Sequence, residues 1–267
     1  MAIGDTVFAA SIAELYDAVL GPFMFEPFAR EMAGRFSCLD GDLLEVAAGT
    51  GILTRALDRT LAQGARITAS DLNEPMLAVG ARKSGSSRIA WRQADALALP
   101  FAAESFDAVV CQFGIMFYPD KVAGHAEAAR VLRPGGLYRA SVWDDLAGNP
   151  AAETVHQAVG ACFPRDPPAF LARTPHGHHD NETLMADLTA AGLQDISIET
   201  VTLAAGRLTA QDLARGFCQG TPLRHEIVQR SEDGLGPVTA AVAGALTARF
   251  GEMVETSIQA KVITARR

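Results

Sequence analysis

A chain of 267 residues with 49% apolar and 20% charged side chains has ample length for a buried core and an ordinary globular composition. Its formal charge of −8, without any basic run, argues against a nucleic-acid surface or an anionic membrane, and no apolar run approaches a membrane span. Cys38, Cys111, Cys162 and Cys218 are dispersed without a C-x-x-C pair, and no secretory pattern is visible, so a cytoplasmic protein with reduced thiols is expected.

From the N-terminus, apolar residues at helical spacing predict a helix over 8–36, broken near Gly21 and Pro22. A buried strand follows at 42–47, then a helix at 50–62 and a strand at 65–71. Asn73 is the expected N-cap of a helix over 74–83. Strands are predicted at 88–93 and 106–113, then a helix at about 120–132 that stops before "RPGG", then a strand at 137–144. Glycine, proline and polar residues over 144–182 read as a long connection or lid. A helix at 182–191, a strand at 195–203, an Ala-rich helical region at 209–250 and a last strand at 254–265 complete the chain. Strands alternating with helices imply a parallel sheet with crossover helices.

The stretch "LLEVAAGTG", residues 43–51, places small residues where the first strand turns into the first helix. Ligands in such sheets bind at the carboxyl ends of strands, near the point where strand order reverses. Ala47, Ala48, Gly49 and Gly51 would let a ligand approach the backbone. Glu45 at an apolar strand end needs a partner, because an unpaired buried carboxylate is costly. An ammonium group could supply one; a pyrophosphate could not. Asp71 ends the second strand, where an acid can accept both hydroxyls of a ribose, and Asp95 follows the third, where it could accept from an exocyclic amine. Taken singly, Asp71 fits an N-cap and Asp95 a turn. Three acids in this order would face one crevice.

These segments together resemble the class I S-adenosylmethionine-dependent methyltransferases. "LLEVAAGTG" is similar to that family's glycine motif, with Ala48 where glycine is usual; "ASDLNEPML", "QADALALPF", "FDAVVCQFGIMF" and "RVLRPGGLY" resemble its later motifs over about 45–140. "AELYDAVLGPFMFEPFA" resembles the N-terminal helix of the ubiquinone and menaquinone C-methyltransferase branch, which closes over the cofactor. The resemblance implies a Rossmann-like α/β fold: a seven-stranded, mostly parallel sheet with an antiparallel last strand and helices on both faces. It implies one domain over 1–267, with a lid at 1–40, a cofactor-binding core at 41–145, a connection at 146–182 and a C-terminal half at 183–267 carrying a helical insert at about 209–250. The lid is expected to be removable, so that a chain lacking 1–36 still folds.

The resemblance also implies S-adenosyl-L-methionine as cofactor and assigns roles. Glu45 and the backbone of Ala47, Gly49 and Gly51 would hold the methionine end. Asp71 would bind the ribose, with Leu72 against the adenine face and Met76 beside the adenosine. Asp95 and the amide of Ala96 would read the adenine edge. Gln112 would touch the methionine portion, Phe113 would lie near the sulfonium, and Tyr16 could cover the carboxylate. No catalytic residue is assigned; His156, His176, His178 and His179 are the candidate bases. "HGHHD" at 176–180 carries metal-ligating residue types, but a polar loop is expected and no metal. The expected acceptor is a small apolar or aromatic molecule, seated between the sheet edge and the covers 8–36 and 209–250, with Phe113, Ile115, Met116, Phe117 and Tyr118 in its lining. The expected protein is a monomer or homodimer that meets neither nucleic acid nor membrane. Two other readings stay open: a non-catalytic S-adenosylmethionine-binding module, and an NAD-dependent oxidoreductase, which would want a small residue where Thr54 stands.

Overall fold

Five apolar runs in the first half of the chain form parallel strands: β1 (Asp42–Val46), β2 (Arg66–Asp71), β3 (Ile89–Gln93), β4 (Phe106–Gln112) and β5 (Leu132–Trp143). In the computed structural model, which describes residues 10–267, they belong to a seven-stranded sheet. Its order is β3-β2-β1-β4-β5-β9-β6, with β6 at Gln194–Ala204 and β9 at Ser257–Arg266. Only β9 runs against the others, pairing antiparallel with β5 and β6. Strand order reverses between β1 and β4, and the register aligns their carboxyl ends: Glu45 pairs with Ala69 and Val110, and Asp71 with Gln93. Leu43, Leu44, Ala108, Val109 and Val110 are all buried, as a sheet covered on both faces requires.

The crossover helices are α3 (Ile52–Thr60), α4 (Glu74–Lys83) and α5 (Lys121–Val131). Asp120 caps α5 by accepting from the Ala123 amide. Asn73 stands at the start of α4 but does not cap it; its side-chain amide lies 3.4 Å from Asp71 instead.

The N-terminal region departs from the expected broken helix. Residues 8 and 9 of that prediction lie outside the described residues. From there α1 (Ala10–Leu15), a ten-residue π-helical segment (Tyr16–Phe25) and α2 (Glu26–Gly34) run on without a break. Pro22 has no amide hydrogen, and the helix answers by widening rather than ending. Phe28, Met32 and Phe36 are each 1% exposed and lie in the main core. Residues 26–36 are therefore a structural part of the fold, and removing 1–36 would open the core.

A second departure lies in 144–182, read above as an irregular connection. It contains α6 (Pro150–Cys162) and the single turn α7 (Phe170–Arg173). The glycines and prolines that suggested a loop fall at the ends of α6 and beyond it. Pro150 occupies the first helical turn, where its missing N–H costs nothing. The chain goes on through α8 (Asn181–Ala190), capped by Asp180. The Ala-rich region is three helices, α9 (Ala210–Gly220), α10 (Leu223–Arg230) and α11 (Leu235–Phe250); short strands β7 (Leu208–Thr209) and β8 (Met253–Val254) pair across its ends. Among the described residues no helix is long and apolar enough to cross a membrane.

Candidate active site

Beyond the carboxyl ends of β1, β2 and β4 lies a cavity of about 380 Å³, within the range of small-molecule and cofactor sites. Tyr16, Glu45, Ala47, Gly49, Asp71, Leu72, Met76, Asp95, Ala96, Gln112 and Phe113 all line it. Gly51 does not. It begins α3 at φ +74°, and a Cβ there would lie 2.4 Å from the indole of Trp91. Its glycine serves a left-handed turn and the packing of Trp91, not a ligand approach.

Two turns meet at the mouth. Asp71 Oδ2 accepts from the Gly49 amide (2.8 Å) and Oδ1 from the Asn73 amide (2.7 Å), so this acid ties the turn after β2 to the turn after β1. Burial raises the Asp71 pKa, against the pull of those amides. Ala47 (φ +56°) and Phe113 (φ +58°) sit in the left-handed region at the ends of β1 and β4, a cost that non-glycine residues bear where a site fixes them. Between them Gly114 leaves the room that any side chain would take, since its Cβ would lie 2.4 Å from that of Ala47.

The cavity wall carries unused acceptors. Glu45 is 2% exposed, and its Oε2 has no hydrogen-bond partner among the described residues. Burial pushes its carboxyl up to about 8, and Thr54 and Arg55 pull it back only in part. Gln112 Oε1 is likewise buried without a partner, and its amide nitrogen makes only a 3.5 Å contact to the Phe25 carbonyl. At the other end Leu72 is 50% exposed, an apolar face open to the cavity, while Asp95 accepts from the Leu97 amide (2.9 Å) in a tight turn.

The π-helical segment roofs the cavity with Tyr16 and Phe25, whose rings lie 4.8 Å apart. Burial, with Asp71 and Asp17 nearby, raises the Tyr16 pKa. Asp17 went unnoticed in the sequence, yet it fastens this roof. Buried, it accepts from Thr50 in the glycine turn, pairs with Lys83 of α4 and lies 3.6 Å from Arg55 of α3. The available signal was an acid in an otherwise apolar helical run, "LYDAVLGPF".

The four histidines separate. His156 lies half-buried on α6, His178 stands 3.5 Å from Asp187 of α8, and His179 lies 3.7 Å from Asp144. His176 lines a second, smaller cavity beside the first. Among the described residues no three metal-ligating side chains cluster.

Residues 44–140 match the methyltransferase domain family. The ubiquinone/menaquinone biosynthesis C-methyltransferase of Paracoccus denitrificans is 48% identical over 99 residues, a match spanning 35% of this chain and 39% of that protein. The Cronobacter sakazakii protein of the same description is 30% identical over 173 residues, spanning 60% of this chain and 69% of the relative. The fold is shared with phosphoethanolamine N-methyltransferase 2 of Haemonchus contortus, solved with S-adenosyl-L-methionine (TM-score 0.62, 17% identity, 97% of this chain and 57% of that one). With its parallel sheet, antiparallel β9 and acid-lined cavity at the switch point, the chain belongs to the class I S-adenosylmethionine-dependent methyltransferases, close to the ubiquinone and menaquinone C-methyltransferase branch.

Proposed function

We propose that the enzyme transfers the methyl group of S-adenosylmethionine to a small, largely apolar or aromatic molecule. The observation that carries this reading is the pair of unpartnered buried acceptors, Glu45 Oε2 and Gln112 Oε1, on a cavity whose other end offers Asp71, Leu72 and Asp95. A ligand with cationic groups at one end and a nucleoside at the other suits both ends. A dinucleotide does not, because its pyrophosphate would meet Glu45. In this reading Glu45, Gln112 and the backbone of Ala47 and Gly49 hold the methionine portion, with Tyr16 over its carboxylate. Asp71 binds the ribose hydroxyls, Leu72 and Met76 flank the adenine, and Asp95 with the Ala96 amide reads its edge.

Bound S-adenosylmethionine supplies a methyl group already activated by its sulfonium. The chain's part is to align the acceptor with it and to exclude water. Phe113 and the roof of Tyr16 and Phe25 do the second. The aromatic residues after β4 support an apolar acceptor, and the curated relatives are named for carbon methylation in ubiquinone and menaquinone biosynthesis. The same proposal includes one domain with the divisions expected above, residues 26–36 built into it. It also has the protein act in the cytoplasm, as a monomer or homodimer, on free small molecules; the formal charge of −8 supports that choice over nucleic acid.

Calorimetry on the folded protein is the test. S-adenosylmethionine and its demethylated product should bind and NAD should not; failure of both nucleosides to bind would end the reading. Labelled methyl should then appear in a small organic-extractable product. Binding without transfer to any acceptor in a metabolite extract would leave a non-catalytic binding module.

A further inference from the structure

The second cavity, about 70 Å³, lies behind the aromatic wall of the first, and Tyr16, Phe25, Phe113 and Phe117 line both. Its far side is Met116, Trp143, Phe170, Leu171 and Phe217, with two further polar side chains, Thr221 and His176. Thr221 is already used: its hydroxyl donates to the Phe217 carbonyl (2.7 Å) and accepts from the Leu223 amide (3.3 Å).

His176 is different. It is buried, and its Nδ1 lies 2.7 Å from the carbonyl oxygen of Asp144. A carbonyl only accepts, so the proton sits on Nδ1 and Nε2 carries a lone pair. Nothing among the described residues donates to that Nε2. The support for this tautomer is itself fixed. Asp144 directly follows β5, donates its amide to the Gln259 carbonyl (3.1 Å), and has its carboxylate held by Lys261 (3.0 Å) and the Asp145 amide (2.9 Å). Burial pushes the imidazole down to about 4, so it remains neutral and ready to accept through the working pH range.

We infer that the second cavity receives the hydroxyl-bearing edge of the acceptor, a small phenol or enol, and that its O–H donates to His176 Nε2. The inference rests on the methyltransferase reading and deepens it. The volume admits the edge of a ring. The rest of the ring lies against Phe113 and Phe117, which line both cavities.

Because burial disfavours the imidazolium, His176 does not take the proton: it accepts the hydrogen bond of the acceptor's hydroxyl, which stays protonated, and so positions the ring.

The test uses the intact protein saturated with S-adenosylhomocysteine, and two probes of one shape: 4-cyanophenol, and 4-methylbenzonitrile, which has a methyl in place of the hydroxyl. The phenol should bind at least about tenfold tighter to the wild type. His176→Phe should bring the two within about twofold, and His176→Gln, which offers a carbonyl oxygen, should restore part of the difference. Equal affinities in the wild type, or no binding of either probe, would overturn the inference without any variant. So would a His176→Phe protein that keeps the preference. S-adenosylhomocysteine affinity is measured first in every sample. If the wild type fails to bind it, the methyltransferase reading fails; if it binds and no phenol preference exists, only the role of His176 does.

Discussion

On the proposed reading, Glu45 links cofactor binding to a proton. In the ligand-free protein its carboxyl is held up to about 8 by burial, so at pH 7 about one in ten molecules carries the charge that a cationic ligand needs. Ionising it at pH 7 costs about 1.4 kcal/mol, and that cost fades above pH 8. With the ligand amine's own titration counted, affinity for S-adenosylmethionine should therefore rise about eightfold from pH 6 to 7 and about 2.5-fold from 7 to 8. It should then level off and fall as the ligand's own amine, with an ordinary pKa of about 7.8, loses its charge. Calorimetry at pH 7 in buffers of different ionisation enthalpy should show about 0.8 proton released per ligand bound. Glu45→Gln should abolish both the release and the rising limb. The sign for stability is opposite. A carboxyl raised above its unfolded value of 4.5 favours the folded state at low pH, and that advantage is lost as pH climbs from about 4.5 through 8. The ligand-free Gln variant should accordingly melt higher than wild type at pH 8 while binding cofactor worse. A flat affinity between pH 6 and 8 in the wild type, or an identical slope in the variant, would refute the reasoning.

Asp71→Ala should weaken cofactor binding by about 1.5–3 kcal/mol and also lower the melting temperature, because the Gly49 amide loses its acceptor; unchanged calorimetric affinity would remove its ribose role. Asp17→Asn should cost about 2 kcal/mol in denaturant titration and loosen cofactor binding, since the roof is fastened to Thr50 and Lys83 through that carboxylate. Gly51→Ala should destabilise by about 2–3 kcal/mol from overpacking on Trp91 and the left-handed turn, yet leave affinity intact where the protein is folded; lost affinity in a folded variant would return Gly51 to the site. His125, His176 and His178 are each pushed down to about 4, first of all by burial. The unfolded chain thus binds protons that the native one resists, and denaturant midpoints should fall steadily as pH drops from about 6.5 to 4.

The first half of the fold was legible because its signals are local. Alternating apolar runs and glycine turns locate β1 to β5, and an acid at each strand end points to the switch-point cavity that Glu45, Asp71 and Asp95 line. What escaped depends on partners distant in sequence. Proline and glycine in 144–182 carry the same letters whether they interrupt a helix or flank one, and α6 forms because α11 packs against it. Gly21-Pro22 looks like a break until the chain is seen to widen into π-helical turns. Gly51 looks like a ligand glycine until Trp91, forty residues later, takes the space. Asp17 and His176 are ordinary residues in sequence; Thr50 and Lys83 give meaning to the first, and the Asp144 carbonyl to the second.

The functional reading finally turns on a contrast within one molecule. Two buried carboxylates near the cavity are settled within the chain: Asp144 has Lys261, and Asp17 has Lys83 with Thr50. At the cavity it leaves Glu45 Oε2 and Gln112 Oε1 unpaired, holds Ala47 and Phe113 at positive φ, and exposes half of Leu72. Each of these lowers the stability of the ligand-free protein, and a sequence selected for the fold alone would replace Glu45 with an apolar residue of similar size. They converge on one volume, and each has a counterpart in a single ligand: a cation for the two acceptors, a ribose for Asp71, an aromatic base for Leu72. Local features that oppose the fold mark a functional site where one ligand relieves them together.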